Sequence, residues 1–287
     1  MIAHVAAVHE ARGRVVLRFC AGSPSQAAIS AAFKVAEAFQ SEVESLYVED
    51  RELLTLASYP FATEVSFAGR LRRRLSQRTL HGDFFSIFSA ARRQIRSIAA
   101  ACDVPLQERY VRDEPVHALA SACAQRGPWN VIALAEAFDA NSCTLLCEVF
   151  DTVLDTTGVI LAGPKGCHPA GPIIVAVEDA GRVPGMLSAA ERLAQVQNSP
   201  IAVLVVANTA HQCAQLDDKI RQISAEHPNV FKAGNVAAAG EAAVVAEAIR
   251  RLNGSFLIAR FGGVAIPRQG SLRPLAAVLE CPLLLVR

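Results

Sequence analysis

The sequence has no charge excess of either sign: its formal net charge is +1 at pH 7. That removes the long-range field with which a strongly basic protein finds nucleic acid or anionic lipid. It also has no long apolar run. The longest are strand-sized and end in Pro, Gly or a charge, far short of the roughly 20 residues that span a bilayer. Met1-Ile2-Ala3-His4-Val5 lacks the basic start and apolar core of a signal peptide. The expectation is a cytoplasmic protein with no membrane and no nucleic acid among its partners. The eight cysteines include no CxxC pair and no zinc-finger spacing. Large cytosolic α/β domains do not need disulfides, so reduced thiols are expected. Charged residues are only 19% and hydrophobic residues 52%, which excludes a disordered chain and suffices for two cores.

What is present is a unit that occurs twice. Arg14–Cys20 reads as a buried strand, followed by Ala21-Gly22-Ser23 and an Ala-rich helix. Gly171–Glu178 does the same, followed by a loop with Gly181 and another amphipathic helix. Each unit closes on a short apolar strand, Gly158–Ala162 in the first and Cys281–Val286 in the second. A repeat of this size fixes the domain plan: residues 1–164 with an insertion near 49–82, then 171–287, joined by the Gly- and Pro-rich stretch 165–171.

In the first unit, helices are predicted over Pro24–Gln40, with Ser23 as cap, and over Asp83–Ala101, with Asp83 as cap. Further helices follow over Pro115–Gln125 and Ser142–Asp155. Strands are predicted over 43–48, 106–111, 129–135 and 159–162. The second unit repeats the order, with strands near 173–177, 201–206, 230–235, 255–259 and 283–286. Its helices fall near 183–196, 211–225, 241–252 and 271–279. Alternation of this kind implies parallel sheets covered on both faces, with any ligand at the carboxyl edge where strand order reverses.

At these residues the chain resembles a tandem universal stress protein. The second unit carries the family's ending: Phe256–Gly263, then Gly270-Ser271, then Cys281–Arg287. The first matches at Gly22, Ser23, Asn130–Leu134 and Leu146–Phe150. The resemblance implies two flavodoxin-like, adenine nucleotide α-hydrolase-like units. Each has a five-stranded parallel sheet of order 3-2-1-4-5, and the two pack as a pseudo-dimer through strand five. It also implies a non-enzymatic stress-response or signalling module with an unidentified protein partner, and homodimerisation of whole chains is a further expectation.

Family members that bind ATP carry a Gly-x-x-Gly-x9-Gly-Ser loop after strand four and an Asp after strand one. Glycines let backbone N–H groups approach phosphates, and a helix N-terminus adds partial positive charge. The first unit has Ala21 at the Asp position, and its loop Ala135–Ser142 has no glycine and two carboxylates; it is expected not to bind ATP in the family's way. The second keeps Gly262, Gly263, Gly270 and Ser271, with Glu178 near the Asp position and Arg260 and Arg268 close by. Its loop is shorter than the family's, lacks the Gly-x-x-Gly spacing, and Pro267 removes a donor. Two readings stand. Either Glu178, Arg260, Gly262, Gly263, Gly270 and Ser271 form a weak site for ATP or AMP, or the loop is a tight turn before a Ser-capped helix.

Other groupings compete. Cys143 and Cys147 lie four apart on one helix face, and Cys20, Cys167 and His168 are predicted near the same edge; they form a thiol sensor or pack as small hydrophobes. Arg70, Arg72, Arg73, Arg74 and Arg78, followed by Arg92, Arg93 and Arg96, form a phosphate-binding cluster or a solvated face. The apolar insertion Leu53–Ala62 is a lid over the first site or a patch for a partner. An enzyme, a weak ATPase, would need Glu178 or Asp179 as a metal-binding acid. No nucleophile–base pairing has convincing context, and His117 reads as a surface or packing residue.

Overall fold

The structure is a computed structural model that describes residues 13–20, 24–66, 69, 72–125, 127, 129–137, 142–163, 170–237, 242–269 and 272–287. Five strands of the first half carry the frame: β1 (Arg14–Phe19), β2 (Glu42–Asp50), β5 (Leu106–Asp113), β6 (Asn130–Ala137) and β7 (Thr156–Ala162). The second half supplies β8 (Ile173–Val177), β9 (Ile201–Ala207), β10 (Val230–Ala237), β11 (Phe256–Arg260) and β12 (Pro282–Val286). All ten belong to one sheet of order β10-β9-β8-β11-β12-β7-β6-β1-β2-β5. Within this sheet every pairing inside a half is parallel. Only the seam is antiparallel: β7 meets β12, with Ile160 opposite Leu284. Two separate sheets were the sequence expectation; the backbone ladder at the seam makes them continuous, because β12 leaves an apolar edge that β7 satisfies.

Two cores flank this sheet. On one face α1 (Gln26–Ala38), α3 (Gln77–Cys102), α6 (Val183–Gln197) and α7 (Ala210–Glu226) cover Val15, Leu17, Val175 and Val203. On the other, α4 (Pro115–Ala124), α5 (Ser142–Thr152), α8 (Ala242–Leu252) and α9 (Arg273–Val278) cover Val16, Ile132, Ala176 and Leu257. Successive strand residues face opposite layers, so the near-continuous apolar runs are a consequence of double burial. Two glycines occupy matching places in the two halves. A Cβ on Gly13 would overlap Trp129 O, and one on Gly171 would overlap Asn253 O. Each sits just before strand one, wedged against the chain entering strand four.

The helix starts differ from the sequence reading in two places. α1 begins after Ser25, whose hydroxyl accepts from Ala28 N–H at 3.4 Å; Ser23 lies outside the described residues, and Pro24 precedes the helix. α3 begins after Ser76, which accepts from Thr79 N–H at 3.2 Å. Asp83 is therefore inside the helix and not its cap, and it pairs with Arg73 at 3.0 Å. The segment 49–82 is not irregular. It holds a short α2 (Arg51–Leu56), capped by Asp50, and a hairpin of β3 (Thr63–Val65) and β4 (Arg72–Arg74).

Candidate functional site

The carboxyl ends of β8 and β11 bring the second half's expected residues together. Chain leaving β11 turns at Gly262, whose φ of +79° is left-handed and suits glycine; its N–H donates to Ile266 O at 2.8 Å. The loop then points two successive N–H groups inward, and their acceptor is the chain itself. The Glu178 carboxylate accepts from Val264 N–H and from Ala265 N–H, each at 2.6 Å. Glu178 is 7% exposed. A Cβ at Gly263 would overlap that carboxylate, so glycine here makes room for a side chain of the same protein. Gln212 Nε2 fixes the backbone beneath by donating to Glu178 O at 2.7 Å.

Asp179 turns elsewhere: its Oδ1 accepts from Gly181 N–H at 2.9 Å. Arg260 ends β11 half-buried, and its Nε is buried with no hydrogen-bond partner among the described residues. Gly270 and Ser271 lie outside the described residues, as do Ala21, Gly22, Asp139, Asn141, Cys167 and His168.

The loop leans on the other half. Phe261 stacks on Phe150 of α5 with ring centroids 4.4 Å apart. Arg268 lies over Phe261 at 5.5 Å and pairs with Asp151 at 2.9 Å. Cys143 and Cys147 both donate from sulfur to Arg268 O, at 3.4 and 3.2 Å. Backbone donors, a carboxylate and an aromatic floor thus form one unit built from both repeats.

The corresponding rim of the first half holds a part-buried ion pair that the sequence reading did not single out. Arg18 on β1 is 3% exposed and meets Glu136 on β6 at 3.1 Å. Burial opposes the Arg18 charge, but the Glu136 carboxylate, helped by Cys20 and Glu114, raises the guanidinium's pKa. The signal was available: Arg18 and Glu136 interrupt apolar strands, and a charge at such a position needs a partner. Cys20 lies beside them. Burial, opposed by Arg18 and reinforced by Glu136, pushes its thiol up to about 12.

The remaining candidates separate. Arg73 is tied to Glu64 and Asp83. Arg92 and Arg96 both clamp Glu108, at 2.8 and 2.9 Å, while Arg72, Arg74, Arg78 and Arg93 are exposed. Arg70 lies outside the described residues. His117 is an exposed helical residue paired with Asp113 at 2.6 Å. In the insertion, Leu54 and Ala57 are buried, whereas Tyr59 and Phe61 stack at 5.4 Å and face solvent. Among the described residues no three His, Cys, Asp or Glu converge to hold a metal, and no helix is long and apolar enough to cross a membrane.

The sequence matches no known protein family and no curated protein. Solved structures do match over nearly the whole length. A universal stress protein from Archaeoglobus fulgidus DSM 4304 superimposes with TM-score 0.58 at 13% identity, covering 95% of this chain and 96% of that one. A putative universal stress protein from Pseudomonas aeruginosa UCBPP-PA14 gives TM-score 0.55 at 15% identity, with 96% and 94% covered. The cytoplasmic domain of a prokaryotic cation chloride cotransporter gives TM-score 0.57 at 11% identity, with 96% and 95% covered. From the first strand to the last, the chain has the fold of the universal stress proteins.

Proposed function

We propose that the chain is a non-enzymatic stress-response or signalling module, an internal pseudo-dimer whose second-half cradle is held shut by its own Glu178. One observation carries this reading: both inward N–H groups of the glycine loop already serve the Glu178 carboxylate. Hydrogen bonds to a charged acceptor contribute about 1.5–3 kcal/mol each. A phosphate reaches those donors only by displacing a carboxylate that is already well satisfied. ATP or AMP therefore finds no site in the native cradle and gains only a weak one, in the second half, once that carboxylate is removed. The principal work is docking to a protein partner, as a single chain or a homodimer. A likeness to the cytoplasmic domain of a cotransporter, a module attached to another machine, supports that role.

The enzyme reading is less favoured. A metal-assisted ATPase needs a free acid at the phosphates, and Glu178 and Asp179 both already accept backbone N–H groups. Calorimetry with ATP and Mg²⁺ tests the proposal. The native chain is expected to give no saturable heat, Glu178→Ala to gain a weak site, and neither to turn ATP over. Saturable binding by the native chain that survives Glu178→Ala, or hydrolysis that requires Glu178, would overturn it.

A further inference from the structure

The two cysteines of α5 form a grouping that the docking role leaves unused. Cys143 and Cys147 lie one helical turn apart, half-buried and not joined in a disulfide. Both sulfurs converge on a single acceptor, Arg268 O. They do not suit a disulfide. Helical positions four apart hold their Cβ atoms about 5–6 Å from each other, whereas a disulfide needs about 3.5–4.5 Å. Bonding the sulfurs directly would unwind the first turns of α5. An ion placed between them, with metal–sulfur bonds of about 2.3 Å, spans the gap on an intact helix.

Ligand chemistry then selects the ion. The described residues place two thiols together and no third His, Cys, Asp or Glu beside them, the pattern of a two-sulfur site. Thiolates favour soft ions such as copper(I). Two thiolates around a monovalent ion leave one negative charge; burial and the neighbouring Cys143 hold the Cys147 thiol up, and the Arg268 guanidinium, shared with Asp151, opposes them.

We propose that Cys143 and Cys147 bind one monovalent thiophilic metal ion of the copper(I) class between their sulfurs. Two S–H bonds break, two S–metal bonds form, two protons pass to solvent, and the metal keeps its +1 state. Arg268 O loses both of its thiol donors in the process. The site does not depend on nucleotide binding, so it stands or falls separately from the docking reading.

The test is an anaerobic copper(I) titration against a bicinchoninate competitor. Native protein, Cys143→Ser, Cys147→Ser and Cys213→Ser are compared, the last removing a thiol far from α5. Native protein and Cys213→Ser are expected to retain one more copper(I) per chain than either α5 variant, with no displacement by equimolar zinc(II). Equal retention by all four, or displacement by zinc, would overturn the site. X-ray absorption on copper-loaded native protein gives a reading that needs no variant: a two-sulfur shell is expected, and a shell of nitrogen or of four sulfurs would exclude it.

Discussion

Cys20 and Glu178 stand at the same place in the two halves. Val15, Val43 and Leu106 are neighbours across β1, β2 and β5, as Ile173, Ile201 and Val230 are across β8, β9 and β10. In each half strand two starts alike: Val43 N–H donates to Pro105 O and Ile201 N–H to Asn229 O, both at 2.9 Å. Counting equally onward from Val15 and Ile173 reaches Cys20 and Glu178. One copy has put a carboxylate there to satisfy its own loop; the other has a thiol beside a part-buried ion pair.

That thiol should be inert in the native protein. Burial pushes Cys20, and likewise Cys123, up to about 12, so the thiolate fraction at pH 8 is on the order of 10⁻⁴. Maleimide labelling with mass mapping at pH 8 should leave both unmodified until urea unfolds the chain. Rapid native labelling of Cys20 would show that the rim opens.

The amino edge of β1 carries a second buried charge network. Arg14 pairs with Glu44 and donates from Nε to Asn130 Oδ1 at 3.2 Å, and Glu44 also meets Arg109 at 3.0 Å. Removing one partner strands a buried charge, so Glu44→Ala should cost about 3–5 kcal/mol in urea unfolding. The double change Arg14→Met with Glu44→Leu should cost clearly less than the sum of the single changes. Additivity would show that the pair is not coupled.

These buried charges also mark the limit of what the chain disclosed in advance. Apolar runs broken by Gly and Pro located the inner strands of the main sheet, because double burial leaves little else in them; the edge strand β5 has no fully buried residue and was legible only from the alternation of strands and helices. The sequence pattern favours Ser23 and Asp83 over Ser25 and Ser76 as caps, because cap choice depends on where the preceding chain docks. The β3–β4 hairpin left no alternating pattern: both of its strands are exposed along their length. Of the candidate site, Glu178, Gly262 and Gly263 were legible as neighbours. That the carboxylate fills the loop was not, because a glycine that admits a ligand and one that admits a side chain are spelled alike.

Asp113 should report on acid sensitivity. A hydrogen bond from His117, with a second from Glu114 N–H, holds its carboxyl below the usual value. A depressed carboxylate contributes stability that is fully present above its unfolded pKa, about 3.9, and is lost as pH falls through the folded value. Because the pair is exposed, salt should weaken the effect. In an NMR titration His117→Ala should move the Asp113 midpoint upward. An unchanged midpoint would assign the shift to the backbone bond.

The seam should hold without the peptide that links the halves. β7 and β12 share five register pairs, and a Cβ on Gly158 would come within 2.6 Å of Leu285 O. A protease site placed between Gly163 and Ala170 should yield two fragments that stay together in native mass spectrometry. Adding Gly158→Val should separate them, since the backbones could no longer approach. Fragments that part on cleavage alone would make the link essential.

An antiparallel seam between otherwise parallel halves has a geometric corollary. The strands of one half point the opposite way to those of the other, so their carboxyl rims open toward opposite poles of the molecule. No single small molecule can bridge the two poles, and each can change without spoiling its twin. Whatever meets the molecule at one rim therefore leaves the other untouched.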